Sequence, residues 1–151
     1  MGESYVIRGG QSVRADEVFH AWTSGDLDRM LRALALDTNL VDRHYLLLGI
    51  TKETYRIRSD PAMARECARV SEIHLAEFQQ IRPALAGELG GELPRVPTFQ
   101  NYATLLAEQG DFDRAVWVCE LALYYGLSDG TKSGFSGRIA RIRKKQAETH
   151  T

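Results

Sequence analysis

The residues best suited to chemistry are two cysteines, Cys67 and Cys119, and four histidines, His20, His44, His74 and His150. Cys67 and His74 stand seven positions apart, which on a helix puts them on one face but roughly 10 Å apart along the axis. A thiolate–imidazole pair needs hydrogen-bond reach, and no local acid completes a triad. Both cysteines fall in apolar helical stripes, where a thiol is expected to be buried and inert. A zinc site from Cys67, His74 and Cys119 needs a fold contact that the spacing does not supply, and His74 reads as a histidine at the edge of the core. The glycines in Ile7-Arg8-Gly9-Gly10 and Leu89-Gly90-Gly91 lack the spacing of a phosphate loop. Carboxylates such as Glu66 and Glu72 read as a solvated helix face. These residues predict a non-catalytic protein with no metal and no cofactor.

Charge is placed unevenly. From Thr131 to Ala147 there are six basic residues (Lys132, Arg138, Arg141, Arg143, Lys144, Lys145) and no acids, whereas Ser12 to Asn39 holds five acids against three arginines. Arg138, Arg141 and Lys145 share one helical face. That face has two readings: a solvated outer surface with cations near a helix C-terminus, or a docking strip for an acidic partner or a nucleic-acid backbone. The formal net charge of −1 argues against attraction of the whole domain to nucleic acid or to an anionic membrane.

The elements that must position these residues follow from periodicity. With 151 residues, 44% hydrophobic and 26% charged, the chain fits one folded domain. Its apolar runs fall short of the roughly 20 residues of a membrane span. An apolar signal core is missing from the N-terminus and two cysteines make no disulfide framework, so cytoplasm is the expected compartment. Residues 1–11 read as a loose terminus, or as a short strand through Tyr5, Val6 and Ile7. Beyond them, Leu27, Met30, Leu31 and Leu34 repeat at i, i+3, i+4, i+7. So do Ala64, Cys67, Ala68 and Ser71, then Phe99, Tyr102, Ala103 and Leu106, then Ala115, Val118, Cys119 and Ala122. Ser12 is a candidate cap for a helix over about 13–23, and Asp26 for one to about 36. Further helices are expected over about 40–58, from Pro61 to about Gln80 behind the cap Asp60, over 98–109, 111–126 and 133–147. Arg82 to Pro97, rich in proline and glycine, reads as a loop with one helical turn in Pro83–Leu89. The fold class is all-α, with a domain over 12–147 and a tail at 148–151.

The segment Val96 to Asp129 spans 34 residues and resembles one tetratricopeptide repeat. Phe99 stands in that family's large aromatic slot, Tyr102 in its leucine slot, Ala103 in its small slot and Leu106 in the next large one. Gln109-Gly110-Asp111-Phe112-Asp113-Arg114-Ala115 is close to the family's turn, QGDYDEA. Cys119 and Ala122 fill the later large and alanine slots, and Leu127 replaces the closing proline. Two earlier pairs look like eroded copies: Ser24 to Met30 echoes the turn, Tyr45, Leu48 and Gly49 match the first helix, and Ala64 and Ala68 the second. Met30 to Ala64 is 34 positions, while Ala64 to Ala115 is 51, so the array is interrupted around 79–95.

The resemblance implies a right-handed superhelical array of antiparallel helix pairs (about 13–36, 40–80 and 97–126), some seven helices in all, closed by a capping helix at 133–147. It also implies an interaction module that binds a protein or peptide through its concave surface. The groove positions it implies are Leu46, Ile50, Glu53 and Thr54 in the second pair, and Gln100, Asn101, Thr104 and Glu108 in the third. Thr104 stands where chaperone-binding members have an asparagine, and Leu46, Leu47 and Ile50 supply no clamp, so a chaperone tail is not the expected ligand. The Arg82–Pro97 loop bridges the interruption or serves in recognition. Nucleic-acid binding through the basic C-terminal helix is the alternative function, and a small enzyme with a site assembled in the groove the third. Short arrays often leave apolar ends to cover, which keeps self-association open.

Overall fold

A computed structural model describes residues 3–149. It opens with an antiparallel hairpin, β1 (Tyr5–Arg8) and β2 (Gln11–Arg14), paired Tyr5 to Arg14 and Arg8 to Gln11. Gly9 and Gly10 turn the chain at φ 59° and 79°, the two positive angles that a two-residue hairpin turn of matching twist requires. The hairpin is pinned to the body: Arg8 Nη2 donates to Asp42 Oδ1 at 2.7 Å and the Gly9 amide to Glu88 Oε2 at 2.7 Å. Of the two readings of this segment, the short strand through Tyr5, Val6 and Ile7 holds, within β1, and its pairing with β2 makes a hairpin. Ser12 and Val13 lie in β2, so the first helix starts later than expected, with Asp16 as its cap.

Seven helices follow among the described residues: α1 (Glu17–Ser24), α2 (Leu27–Ala33), α3 (Leu40–Arg56), α4 (Pro61–Glu88), α5 (Pro97–Glu108), α6 (Phe112–Tyr124) and α7 (Gly134–Thr149). Asp16, Asp26, Asn39, Asp60 and Asp111 each accept a backbone N–H of the first turn, satisfying donors that a helix start leaves orphaned. The chain is thus mostly helical. No helix among the described residues is long and apolar enough to cross a membrane.

The main departure is α4, which continues past Gln80 through Pro83 to Glu88. An interior proline loses one helical bond and crowds the preceding turn, at a cost of about 3 kcal/mol. Ile81 and Leu85 flank it and are both wholly buried; two such side chains contribute about 3–6 kcal/mol, enough to carry the helix on. The end comes at Gly90 and Gly91, with φ 74° and 99°, where the Gly91 amide closes back on Ala86 O at 2.7 Å. Only 89–96 remain as the connecting loop.

The helices pack as successive hairpins. α1 lies on α2, α3 on α4 and α5 on α6; α3 also meets α1, α2 and α5, α5 meets α4, and α7 covers α6. Small residues mark the close crossings, Ala103 and Ala115 being fully buried. At Gly49 a Cβ would stand 2.8 Å from Met30 Sδ, so α2 and α3 approach where a side chain has no room. One continuous core runs through Leu46, Leu47, Ile50, Phe78, Phe99 and Phe135. Phe78 meets Phe99 and Tyr125 edge-on, with ring centroids 5.4 and 5.1 Å away.

A polar chain threads this core. His44 Nδ1 lies 3.0 Å from His74 Nε2, His74 Nδ1 2.8 Å from Thr98 Oγ1, and Thr98 Oγ1 2.9 Å from Thr51 Oγ1. All four residues are buried, so His74 lies inside the core and not at its edge.

Candidate partner-binding groove

A groove of about 230 Å³ is lined by Thr104, Ala107 and Glu108 of α5 and Arg138, Arg141, Ile142 and Lys145 of α7. Its two walls have different supports. α5 is fixed by Phe99, Tyr102, Ala103 and Leu106, all turned into the core. α7 is anchored by Phe135 and Ile142, which leaves its basic residues at the surface. The intervening turn is tied by Asp129, whose carboxylate accepts from the Thr131 amide at 2.9 Å and hydroxyl at 2.6 Å.

Arg138 reaches that same carboxylate, with Nη2 3.1 Å from Asp129 Oδ2, and donates to Thr104 Oγ1 at 3.2 Å. Burial alone would push Asp129 upward; its bonds from Thr131 and Arg138 outweigh this and hold it below the usual carboxylate range. Across the groove mouth, Glu108 forms an ion pair with Arg58 at 2.8 Å, and Arg58 itself lies 3.9 Å over the Tyr55 ring. The Arg58 bonds hold Glu108 below its ordinary value. Further along, Glu53 is paired with Arg56.

The charges of this face are therefore almost matched. Glu53, Glu108 and Asp129 each have an arginine partner in Arg56, Arg58 and Arg138. Arg141 and Lys145 are left over; both are exposed, Arg141 donates to Ser133 Oγ, and neither forms an ion pair among the described residues. They project beside Ala107 and Ile142, which form an apolar floor.

Five of the residues singled out in the sequence come together here: Thr104, Glu108, Arg138, Arg141 and Lys145. Gln100 and Asn101 are half-buried further up α5, and Gln100 Nε2 donates to Asp129 O at 3.3 Å. Leu46 and Ile50 are a correction. Both are wholly buried, because α3 is enclosed by α1, α2, α4 and α5, and no partner can reach them. Thr54 is buried too, donating to Ile50 O at 2.7 Å. Glu72, read as a solvated acid, instead ties α4 to α6: Arg114 Nη2 lies 2.6 Å from its Oε1, and Tyr102 also donates to it. Arg58 and Asp129 escaped sequence reasoning; Ile142 was readable with Phe135 and Ile139 as the apolar side of the last helix, but not as part of a groove with α5.

The groups best suited to covalent chemistry are placed for packing. Cys67 and Cys119 are buried, and burial pushes their thiols up, Cys119 to about 11. Burial also lowers His44 to about 4 and holds His74 well below its ordinary value, aided by His44 and Arg43. Among the described residues no three His, Cys, Asp or Glu side chains are grouped to hold a metal, and Cys67, His74 and Cys119 do not converge.

No protein-family model matches the chain, and no curated protein or solved structure matches it.

Proposed function

We propose that this chain is a non-catalytic interaction module of the tetratricopeptide type, in which stacked helix pairs present the α5–α7 groove to a protein or peptide partner. The observation that carries this reading is the groove itself. It gathers the one surplus of charge on that face, Arg141 and Lys145, over the apolar Ala107 and Ile142. The hairpin-by-hairpin packing, with small residues at the crossings, supports the repeat architecture. The groove is smaller than the roughly 300–1,000 Å³ of a cofactor or small-molecule site, which favours side chains of a partner as occupants. Buried thiols and uncharged buried imidazoles support a non-catalytic role.

Nucleic-acid binding through α7 has less support. Single strands are held by aromatic stacking beside cations, and the exposed aromatics Tyr5, Trp117 and Tyr124 stand on β1 and α6, outside the groove lining.

A photo-crosslinking residue at position 104 tests the reading against the same residue at exposed position 65. Capture of a discrete macromolecule from source-cell extract at 104 alone is the expected result. Equal capture at both positions, or at 65 only, contradicts it.

A further inference from the structure

The α5–α7 groove has features that select among peptide partners. Arg141 and Lys145 are four residues apart on one helix, about 6 Å along its axis. In an extended peptide, residues i and i+2 lie about 6.6 Å apart and point to the same side. Two carboxylates with that spacing match the two cations one to one. The intervening side chain of such a peptide points the other way, as do the residues immediately next to the pair, so the apolar contact with Ala107 and Ile142 falls to the residue two positions before the first carboxylate.

The surplus is local and not a property of the whole chain, whose net charge is −1. Glu53, Glu108 and Asp129 are each held by an arginine; Glu108 also feels the Lys145 charge and Arg141 donates to Ser133 Oγ, but neither cation forms an ion pair among the described residues. Arg138 cannot serve a ligand in the same way, because the fully buried Asp129 side chain already claims its guanidinium. Glu108 stands at the mouth, with 42% of its side chain exposed. It would meet a continuous phosphate chain with like charge, whereas a peptide carrying charge at two points passes it.

We infer that the groove binds an acidic peptide segment in extended form, two carboxylates two residues apart engaging Arg141 and Lys145, with an apolar side chain two residues before them on Ala107 and Ile142. This rests on the interaction-module reading above and names its ligand class.

The test is an NMR titration of the isotope-labelled full chain with a capped peptide containing Leu-Ser-Glu-Ser-Glu. Arms with Leu-Ser-Gln-Ser-Gln and with a ten-nucleotide poly-uridine RNA run beside it. The expected result is saturable shifts confined to amides of α5 and α7, with affinity for the Glu peptide at least tenfold above the Gln peptide and the RNA. Arg141→Glu with Lys145→Glu should lower that affinity at least tenfold, while Lys144→Glu, on the same helix but outside the groove, changes it less than twofold. Both sites are exposed, so folding is retained, and the unshifted α3 and α4 amides verify it. Equal binding of Glu and Gln peptides, stronger binding of the RNA, equal effects of the reversals inside and outside the groove, or no shift at millimolar peptide overturns the inference. If any of these occurs while position 104 still crosslinks specifically to a partner, the module reading stands and only its ligand class fails.

Discussion

His44 and His74 share a hydrogen bond of 3.0 Å, Nδ1 to Nε2, inside a core where neither ring has measurable exposure. The direction of that bond is set at the far end of the chain it begins. Thr51 Oγ1 lies 3.1 Å from Leu48 O, which can only accept, so the Thr51 hydroxyl donates there. It must then accept from Thr98, and Thr98 from His74 Nδ1–H. His74 Nε2 is left to accept from His44 Nδ1–H. The atom without a partner is His44 Nε2, which in this tautomer carries a lone pair and no hydrogen. The one unmet site is an acceptor, cheaper to leave open than a buried N–H. Both rings should therefore be Nδ1–H tautomers, readable from their ring nitrogen shifts. A hydrogen on Nε2 of either ring contradicts the assignment.

The same pair predicts an acid-sensitive fold. Both imidazoles titrate lower in the folded chain than the ordinary 6.5, because burial penalises the cation, His44 to about 4. The unfolded chain thus binds more protons below pH 6.5. Stability is full above that pH and falls as pH drops from 6.5 toward 4. His44 alone accounts for on the order of 3 kcal/mol across that window. Urea midpoints at pH 7.5 and pH 5.0 check this, and identical midpoints would refute it. Asp42 and Asp129 titrate below their ordinary values when folded: burial opposes this, but Arg8, Asn39 and Trp22 outweigh it at Asp42, and Thr131 and Arg138 at Asp129. Their contribution is present above pH 3.8 and is lost only below it, outside the histidine window.

Thr98→Val removes the middle of the chain without changing its shape. It leaves His74 Nδ1–H without an acceptor and removes the donor to Thr51 Oγ1, and should destabilise the protein by about 1–3 kcal/mol. Thr98→Ser keeps the hydroxyl and should cost less than Thr98→Val. Equal losses for the two variants in urea unfolding would show that packing, and not the hydrogen bond, governs this site.

Pro83→Ala should stabilise. The position is exposed within α4, and alanine restores a backbone donor for the preceding turn. A gain of about 1–3 kcal/mol is expected in the urea midpoint. A loss would mean that the helix is shaped around the proline.

These sites also show what was legible in the chain. The helical stripes carried the body of the fold, and they paired residues that touch: Met30 and Gly49 occupy neighbouring small-residue slots and meet between α2 and α3. The first strand was readable through Tyr5, Val6 and Ile7, but its partner Gln11–Arg14 was not, because a four-residue strand gives little alternation; the Gly9-Gly10 turn was the stronger signal. Pro83 signals a helix end locally, and only the burial of Ile81 and Leu85 overrides it. On α3, repeat slots assigned Leu46 and Ile50 to an open face, but burial depends on four neighbouring helices and a one-dimensional pattern does not contain them. The α7 face was readable from spacing. That Asp129 neutralises Arg138 and leaves Arg141 and Lys145 over was not, since it needs the fold of the turn.

Arg138→Met should destabilise α7 by about 3 kcal/mol, because it strands a fully buried carboxylate. Asp129→Asn in the same chain should recover part of that loss, as the amide carries no charge to compensate. The double-mutant cycle in urea checks the coupling, and strictly additive losses would contradict the pairing.

The central claim is that the α5–α7 groove is where this protein meets its partner. Its most direct measurement is affinity purification from the source cell, with the wild-type chain beside the Arg141→Glu, Lys145→Glu double variant. A macromolecule retained by the wild type and lost from the folded variant is the predicted result. The same macromolecule retained equally by both would contradict the claim.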